Sequence, residues 1–237
     1  MTVFQKHRAY RFGSAEGLTE AQMERLISCF SMDRQPAQGT LGGRTRILSA
    51  ELPGIGRMVI KPYHRGGMLR HFNRRTYINT GMPRSQAEFM RLDYVRQIGV
   101  NAPEPVAFAT RGRLFYHAWL VTKELPAARS LADAALNPAD LPGDAVSRTA
   151  AHINRLIRHR ILHVDLHPGN VLLDAENRVY IIDFDKARIT RKSTEQLAMR
   201  YCRRWQRAVA KYGLPEELNE SFQRGVGCRV WDAGCRV

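Results

Sequence analysis

The sequence predicts an α+β protein of two lobes, a β-rich first lobe with one helix and a small α-rich second lobe. Two observations lead to this prediction. Residues 39–122 contain short runs of apolar, β-branched and aromatic residues that Gly and Pro interrupt, as strands do. From residue 144 onward, apolar residues recur mainly at helical spacing, with one strand hairpin between the helices. We place the lobes at residues 1–124 and 125–237.

In the first lobe, a helix precedes the strands and another lies among them. Residues 18–30 place their apolar residues on one face, and Thr19 with Gln22 resembles a capping box. Residues 85–98 are amphipathic and end before Gly99, which suits a helix C-terminus. The predicted strands flank Gly42-Gly43 and occupy residues 57–63, 106–110 and 114–122.

The second lobe begins with a helix over residues 144–160, for which Asp144 is the N-cap. Two apolar runs, 171–173 and 179–182, flank a turn-rich segment and predict a hairpin. The helices predicted after the hairpin are 195–212 and 216–223.

The hairpin region carries three polar side chains that suit phosphoryl transfer: Asp165, Asn170 and Asp183. In kinases one carboxylate takes up the proton of the acceptor hydroxyl, while an amide and a second carboxylate hold the Mg²⁺ that bridges the phosphates of ATP. Because Asn170 enters one predicted strand and Asp183 leaves the other, we expect both at the same end of a small sheet. We therefore predict Asp165 as the catalytic residue and Asn170 and Asp183 as Mg²⁺ ligands.

A nucleotide site is predicted in the first lobe. Lys61 follows an apolar strand, as a lysine aimed at the α- and β-phosphates does, and Glu88 on the next helix is its expected partner. A lysine in a strand is otherwise an exposed charge that protects an edge. Backbone amides at Gly42 and Gly43 are expected to cap the β- and γ-phosphates, although a plain hairpin turn explains these glycines nearly as well.

The charge of the chain indicates an acidic partner. Lys and Arg number 37 against 22 Asp and Glu, a formal net charge of +15. Residues 52–87 contain no acid, and residues 186–211 contain only Glu195. Arginine forks match phosphate and carboxylate oxygens, so a phosphorylated or carboxylated substrate, an anionic membrane surface or RNA would fit. A solvated surface in an arginine-preferring genome is the alternative.

Several classes of protein are not favoured. No apolar run approaches the roughly 18 residues of a membrane-spanning helix. Residues 1–17 are basic without an apolar core, so we expect no signal peptide. Four cysteines show neither metal-ligand spacing nor the density of a disulfide framework, and we expect reduced thiols in a cytosolic protein: Cys29, Cys202, Cys228 and Cys235.

Three sequence motifs carry a family resemblance. They are His163-x-Asp165-Leu166-His167-Pro168-Gly169-Asn170-Val171-Leu172-Leu173, Ile182-Asp183-Phe184-Asp185-Lys186-Ala187-Arg188, and Lys61-Pro62-Tyr63-His64-Arg65-Gly66-Gly67. Over roughly residues 39–205 the chain resembles the protein-kinase-like superfamily and, within it, the bacterial lipopolysaccharide kinases, most closely the 3-deoxy-D-manno-octulosonic acid (Kdo) kinases. The resemblance implies a bilobal protein-kinase-like fold. It also implies ATP-dependent phosphorylation of a sugar hydroxyl of Kdo-lipid A, an anionic glycolipid.

Departures from the regulated protein kinases bear on the acceptor. Val164 replaces the arginine that would bind a phosphorylated activation loop, and only 54 residues follow Asp183. A small or lipid-linked acceptor and constitutive activity are therefore expected. Asp185 stands where most kinases have glycine; it either joins the metal shell or is a solvated acid. His163 is expected to pack beneath the loop rather than act as a base, whereas a contact of His167 with acceptor or phosphate stays open.

We expect peripheral attachment to the inner face of the bacterial inner membrane through the helix 195–212 and the Arg-Gly-Gly region, and no nucleic acid partner. Trp205 is a candidate interface residue, although a tryptophan in the core is the commoner case. Four alternatives stay open. They are a heptose kinase of the lipopolysaccharide core, a small atypical protein kinase of the Rio type, an aminoglycoside- or choline-kinase-like enzyme, and an inactive scaffold. An aminoglycoside- or choline-kinase-like enzyme would need an acidic second lobe to bind its cationic acceptor, whereas residues 125–237 carry 18 Lys and Arg against 13 acids.

Overall fold

The computed structural model describes residues 2–32, 48–63, 77–78, 81–113, 115–137 and 141–228. The chain divides into two compact units, the first formed by Met1–Asp93 and Pro103–Glu124 and the second by Tyr94–Ala102 and Leu125–Val237. The predicted lobes, 1–124 and 125–237, differ from these units in residues 94–102 and remain a prediction about domain boundaries. In the described part of the chain, no helix combines the length and the apolar character needed to cross a bilayer.

An antiparallel sheet forms the framework of the first unit. Its strands are β1 (Val3–His7), β2 (Tyr10–Ser14), β3 (Leu48–Leu52), β4 (Gly56–Pro62), β5 (Tyr77–Ile78), β6 (Pro105–Gly112) and β7 (Phe115–Lys123). Within the described residues, the order across the sheet is β1-β2-β6-β7-β4-β3, and β5 pairs with β7. The strand predictions for residues 57–63, 106–110 and 114–122 agree with β4, β6 and β7.

Helix α1 (Glu20–Met32) packs on one face of this sheet. The predicted capping box is present, because the backbone N–H of Gln22 donates to the Thr19 hydroxyl at 3.3 Å and the N–H of Thr19 donates to Gln22 Oε1 at 2.9 Å. Phe30 stacks on Trp119 of β7 with ring centroids 4.5 Å apart. The first unit thus holds α1 and most of α2 (Arg84–Gln97), which agree with the helices predicted over residues 18–30 and 85–98, whereas the predicted fold class allowed only one helix.

The alternation of side chains along β4 sets the direction of Lys61. Met58 and Ile60 are fully buried in the core that α1 covers. Because successive side chains of a strand point to opposite faces, Lys61 points to the other face.

Helix α2 ends where predicted, since Gly99 has a φ of +80° and its N–H donates to the Arg96 carbonyl at 2.9 Å.

Helices dominate the second unit. They are α3 (Leu131–Ala135), α4 (Ala145–Arg158), α5 (Thr194–Tyr212) and α6 (Glu216–Val226), of which the last three pack on one another. Trp205 of α5 stacks on Phe222 of α6 with ring centroids 4.2 Å apart, and Trp205 is fully buried. The expectation that Trp205 lies at a membrane surface is therefore wrong, because the aromatic ring fills the space between two helices.

Short strands carry the polar residues of the second unit. The predicted hairpin is β10 (Val171–Leu173) with β11 (Val179–Ile181), and β8 (Arg129–Ser130) adds to the free side of β10. A separate pair joins β9 (Ile161–Leu162) to β12 (Arg188–Ile189). Strand β9 leads into the segment of Asp165, and β12 follows the segment of Asp183.

A disulfide joins Cys202 of α5 to Cys228, which follows α6, with a Cα–Cα distance of 6.9 Å. The expectation of reduced thiols is thus wrong for this pair. The two cysteines are 26 positions apart and become neighbours only because α5 and α6 pack together. Cys29 is a free, buried thiol, and Cys235 lies outside the described residues.

Candidate active site

Lys61 and Glu88 form an ion pair in the first unit. Lys61 Nζ lies 3.0 Å from both Oε1 and Oε2 of Glu88. The Glu88 side chain is 2% exposed and that of Lys61 is 24% exposed. A nearly buried carboxylate needs charged or hydrogen-bonding partners, so Glu88 holds the ammonium group in a defined position. The two residues that the sequence singled out for the nucleotide are therefore in contact.

Tyr63 is a third member of this cluster, and sequence reasoning missed it as a site residue. Its hydroxyl donates a short hydrogen bond to Glu88 Oε2, and its ring centroid lies 5.4 Å from Lys61 Nζ. Tyr63 follows Lys61 by two positions, and in an extended chain this spacing returns a side chain to the same face. This two-residue repeat of an extended chain is the sequence signal that could have identified Tyr63 as a neighbour of Lys61.

The predicted phosphate-capping glycines Gly42 and Gly43 lie outside the described residues. The Arg-Gly-Gly sequence at 65–67 does so as well. The roles predicted for these residues stay predictions.

The hairpin register places Asn170 and Asp183 at the same end of the small sheet. Val171 pairs with Ile181, and beyond this pair the N–H of Ile182 donates to the Asn170 carbonyl at 3.0 Å. Asp183 is the next residue. The opposite end of the hairpin is closed by Asp174, which accepts backbone N–H bonds from Glu176 and Arg178 at 3.0 and 2.8 Å.

Asp165 lies in a loop that Asn170 holds from one side. The Asn170 Nδ2 group donates to the Asp165 backbone carbonyl at 2.8 Å, and the Asn170 N–H donates to the His167 carbonyl at 2.8 Å. The three predicted residues of the second unit thus belong to one bonded network, in which Asn170 contacts the backbone of both carboxylate-bearing segments. The amide orientation leaves Asn170 Oδ1 as the atom with which this side chain would ligate a cation.

Arg204 of α5 holds Asp165 from the other side. Its guanidinium donates a short hydrogen bond to Asp165 Oδ1, and its Nε donates to the Leu166 carbonyl at 3.1 Å. In the sequence, Arg204 is one of several cations in the basic segment 186–211. No local pattern identifies it, because its partner is 39 positions away.

His163 is a buried neutral imidazole beneath the loop, as predicted. Its Nε2–H donates to the Ile182 carbonyl at 2.9 Å, and its ring packs edge-on against Phe184 at 4.8 Å. Desolvation lowers the pKa of His163 to about 4. The His163 N–H donates to the Tyr201 hydroxyl at 2.7 Å, which ties this segment to α5.

His167 caps the single turn of 3₁₀ helix at Pro168–Asn170. Its Nδ1 accepts the N–H of Gly169 at 3.1 Å, and its ring centroid lies 5.8 Å from that of Tyr212. Burial lowers the pKa of His167. The side chain therefore has a structural bond, and its contact with acceptor or phosphate stays a prediction.

Asp183 has a left-handed backbone, with a φ of +65°. Asn and Asp adopt this conformation more often than most other residues with a Cβ, and it is one of the uncommon backbone conformations that recur at functional sites. Asp185, two residues later, is half-buried. Its two predicted roles, in the metal shell or as a solvated acid, stay predictions.

The donor set at the hairpin end fits Mg²⁺. A carboxylate and an amide oxygen are hard ligands, and Mg²⁺ commonly takes one or two protein groups together with water and substrate phosphates. In the described part of the chain, no group of three or more His, Cys, Asp or Glu side chains is arranged to hold a metal.

Comparison with protein families identifies this combination of motifs. The family model described as "Lipopolysaccharide kinase (Kdo/WaaP) family" matches residues 39–220. The chain belongs to this family. The match extends slightly beyond the predicted resemblance over residues 39–205, and it confirms the family that the motifs indicated.

Members of the lipopolysaccharide kinase family with curated names are similar to this chain. The 3-deoxy-D-manno-octulosonic acid kinase of Vibrio vulnificus (strain YJ016) is 34% identical over 154 residues, 62% of this chain and 63% of the relative. The enzyme of that name from Xanthomonas oryzae pv. oryzae (strain PXO99A) is 32% identical over 190 residues, 77% of this chain and 74% of the relative. The match thus spans less than two thirds of the Vibrio relative.

A solved structure of the family shares the fold. The structure described as WaaP in complex with acyl carrier protein superposes with a TM-score of 0.55 and 17% identity, covering 90% of this chain and 88% of that chain. This similarity confirms the predicted protein-kinase-like α+β fold. The roles predicted for Lys61, Glu88, Asp165, Asn170 and Asp183 are not tested by these comparisons.

Proposed function

We propose that this member of the lipopolysaccharide kinase family is an ATP-dependent kinase that phosphorylates a hydroxyl of Kdo in a Kdo-lipid A type acceptor, in lipopolysaccharide inner-core biosynthesis. The relatives named Kdo kinase support the acceptor, and the family supports the reaction. The observation that carries the proposal is the network in which Asn170 bonds to the backbone of Asp165 and of Ile182, directly before Asp183.

Asp165 orients the acceptor hydroxyl and receives its proton. The hydroxyl oxygen forms the new bond to the γ-phosphorus of ATP, the bond from that phosphorus to the bridging oxygen of ADP breaks, and ADP leaves. Arg204 fixes the carboxylate of Asp165, so the hydroxyl meets an acceptor atom of defined position. Positioning of this kind and electrostatic stabilisation supply most of the catalysis in phosphoryl transfer.

Asn170 and Asp183 are the residues that would hold Mg²⁺ in this proposal. When bound, the ion neutralises charge on the phosphates and raises the reactivity of the γ-phosphorus. The hairpin between β10 and β11 keeps the two side chains in register, and the left-handed backbone of Asp183 fixes where its carboxylate lies.

Lys61 is proposed to bind the α- and β-phosphates of ATP. Glu88 and Tyr63 hold it in place, so the ammonium group does not have to be ordered when the nucleotide binds. Gly42 and Gly43 are proposed to cap the β- and γ-phosphates through their backbone amides.

An anionic membrane surface is proposed as the place of action, with peripheral attachment on the inner face of the bacterial inner membrane. Helix α5 presents four exposed basic residues at spacings of three or four, which form one stripe: Arg200, Arg203, Arg207 and Lys211. Juxtamembrane cations contribute about 1 kcal/mol each near an anionic leaflet. The stripe lies on α5, the helix whose Arg204 bonds to Asp165.

Mass spectrometry tests the proposal. The purified chain is incubated with ATP, Mg²⁺ and Kdo-lipid A, and in parallel with a heptose-containing core and with a protein acceptor. A gain of one phosphate on Kdo is expected, and Asp165→Asn should reduce the rate by about 10²–10⁴-fold. Phosphate on heptose would favour the heptose kinase alternative, and phosphate on protein would favour the Rio-type alternative. In vivo, the matching result is the loss of phosphate from Kdo in cells that lack the gene.

A further inference from the structure

Strand β12 carries an apolar side chain in an unusual setting. Ile189 is 71% exposed, and among the described residues no large apolar side chain is more exposed. Four exposed basic residues lie within three positions of it, and together the five form what we name the β12 cluster: Lys186, Arg188, Ile189, Arg191 and Lys192. A single exposed apolar side chain is common on protein surfaces, so the feature that distinguishes Ile189 is the group of cations around it.

The cations of the β12 cluster outnumber the acids beside them in the sequence. In the described part of the chain, none of the four forms an ion pair. Two acids flank the cluster along the chain: the half-buried Asp185 directly precedes Lys186, and Glu195 interacts with its neighbours Ser193 and Thr194 and with Arg160. The cluster therefore presents net positive charge around a single apolar side chain.

The backbone of the β12 cluster is held in place. Arg188 and Ile189 pair with Leu162 and Ile161 of β9, and the N–H of Thr190 donates to the Arg160 carbonyl at 2.8 Å. The Arg160 guanidinium closes the segment with a short hydrogen bond to the Lys192 carbonyl. Because these bonds are already formed, docking would order little additional chain.

The cluster adjoins the candidate catalytic loop within the same unit. Strand β9, the partner of β12, runs directly into His163 and Asp165. The Tyr201 hydroxyl donates to the Ile161 carbonyl at 2.9 Å and accepts the N–H of His163 at 2.7 Å, so it spans this junction. A surface that covers Ile189 is thereby brought to the strand that positions Asp165.

We propose that the β12 cluster docks the protein onto an anionic lipid bilayer, with Ile189 inserted at the level of the acyl boundary and the four cations on the headgroups. One apolar side chain within a ring of cations matches the layered chemistry of a membrane interface. A protein partner would require a broader apolar area, and single-stranded RNA would require aromatic stacking groups, which the cluster lacks. The consequence that docking brings a lipid-linked acceptor to Asp165 rests on the proposed function.

Flotation of the full chain with phosphatidylglycerol-containing vesicles at low salt tests the docking surface. Ile189→Ser should reduce the bound fraction several-fold. Leu136→Ser is the matched control, because Leu136 is 63% exposed in the same unit and follows α3, which carries Asp133 and no Lys or Arg. Arg188→Gln combined with Arg191→Gln should weaken binding about 25-fold, at about fivefold per charge. The charge-matched control is Arg148→Gln combined with Arg158→Gln. This variant removes two charges from α4, outside the β12 cluster, and should leave binding unchanged.

Ile189→Trp provides an independent reading. The indole should raise binding, and its fluorescence should shift to shorter wavelength when anionic vesicles are added, as expected for an interfacial tryptophan. Unchanged flotation of Ile189→Ser together with no spectral shift of Ile189→Trp would overturn the proposal. Binding to single-stranded RNA that competes with vesicles and ignores Ile189 would overturn it as well. Flotation requires no turnover, so these results stand whether or not Kdo proves to be the acceptor.

Discussion

Arg204 bonds to Asp165 across 39 positions of the chain, and the same guanidinium donates to the Leu166 carbonyl at 3.1 Å. One side chain thus fixes both the carboxylate and the backbone of the loop that we assign to catalysis. Arginine can do this because its planar fork offers parallel donors, which an ammonium group does not. Arg204 is therefore a positioning residue in our account, acting through Asp165.

Arg204→Lys is expected to lower kcat by about 10–100-fold while the KM for ATP stays near the wild-type value. The reason is that misplacement of a catalytic group by about 1 Å has costs of this order. Steady-state kinetics measure the effect, and guanidinium ion should partly restore the kcat of Arg204→Ala. Arg158→Gln, an exposed arginine on α4, serves as control. Full activity in both Arg204 variants would show that the contact is dispensable.

Glu88→Gln is expected to raise the KM for ATP about tenfold or more. The substitution keeps the shape of the side chain but removes the charge that holds Lys61, and hydrogen bonds to charged groups are worth about 1.5–3 kcal/mol. Calorimetric titration with an ATP analogue measures the affinity directly. The matched control is Glu104→Gln, whose pair with Lys123 at 2.9 Å is more than 40% exposed on both sides. If both variants bind the ATP analogue as tightly as the wild type does, the role given to Lys61 is refuted.

Local patterns predicted the parts of the site that local structure builds. The spacing of Asn170 and Asp183 around a turn was enough to place them at one end of a hairpin, because strand pairing follows from the turn. Gly99 marked the end of α2 because a left-handed residue ends a helix, and φ there is +80°.

Contacts between distant segments were beyond sequence reasoning. Arg204 and the Cys202–Cys228 disulfide depend on how α5 packs, and no spacing encodes that. The β1–β2 hairpin was missed for a different reason. Its turn places Arg8 at a φ of +50°, whereas the usual turn signal is Gly, Asn or Asp.

Acid should destabilise the fold through its buried histidines. Desolvation lowers the pKa of His163 and of His152 to about 4, whereas an unfolded histidine titrates near 6.5. Between these values only the unfolded chain takes up the protons, so the free energy of unfolding falls as pH drops from about 6.5 to about 4. The loss is roughly 3 kcal/mol per fully buried histidine.

Urea denaturation at several pH values from 7 to 4 measures this slope. His163→Gln should reduce it, while His152 and His167, whose pKa values burial also lowers, retain their shares. His159→Gln, at an exposed residue at the end of α4, is the control for the substitution itself. A slope that His163→Gln leaves unchanged would mean that His163 is protonated in the folded protein.

Asp183 should be a position where glycine stabilises the fold relative to alanine. Elsewhere glycine costs about 0.5–1 kcal/mol relative to alanine, but a left-handed residue with a Cβ costs about 1–2 kcal/mol. Because φ at this residue is +65°, the free energy of unfolding, measured by urea denaturation, should be about 1 kcal/mol higher for Asp183→Gly than for Asp183→Ala. Neither variant should turn over, because both lack the carboxylate. Asp185 is not among the described residues with positive φ, so the same pair of substitutions there should show the ordinary order, alanine above glycine. Equal stability of the two Asp183 variants would mean that the backbone at this residue is not strained, and the link drawn between its conformation and metal binding would fail.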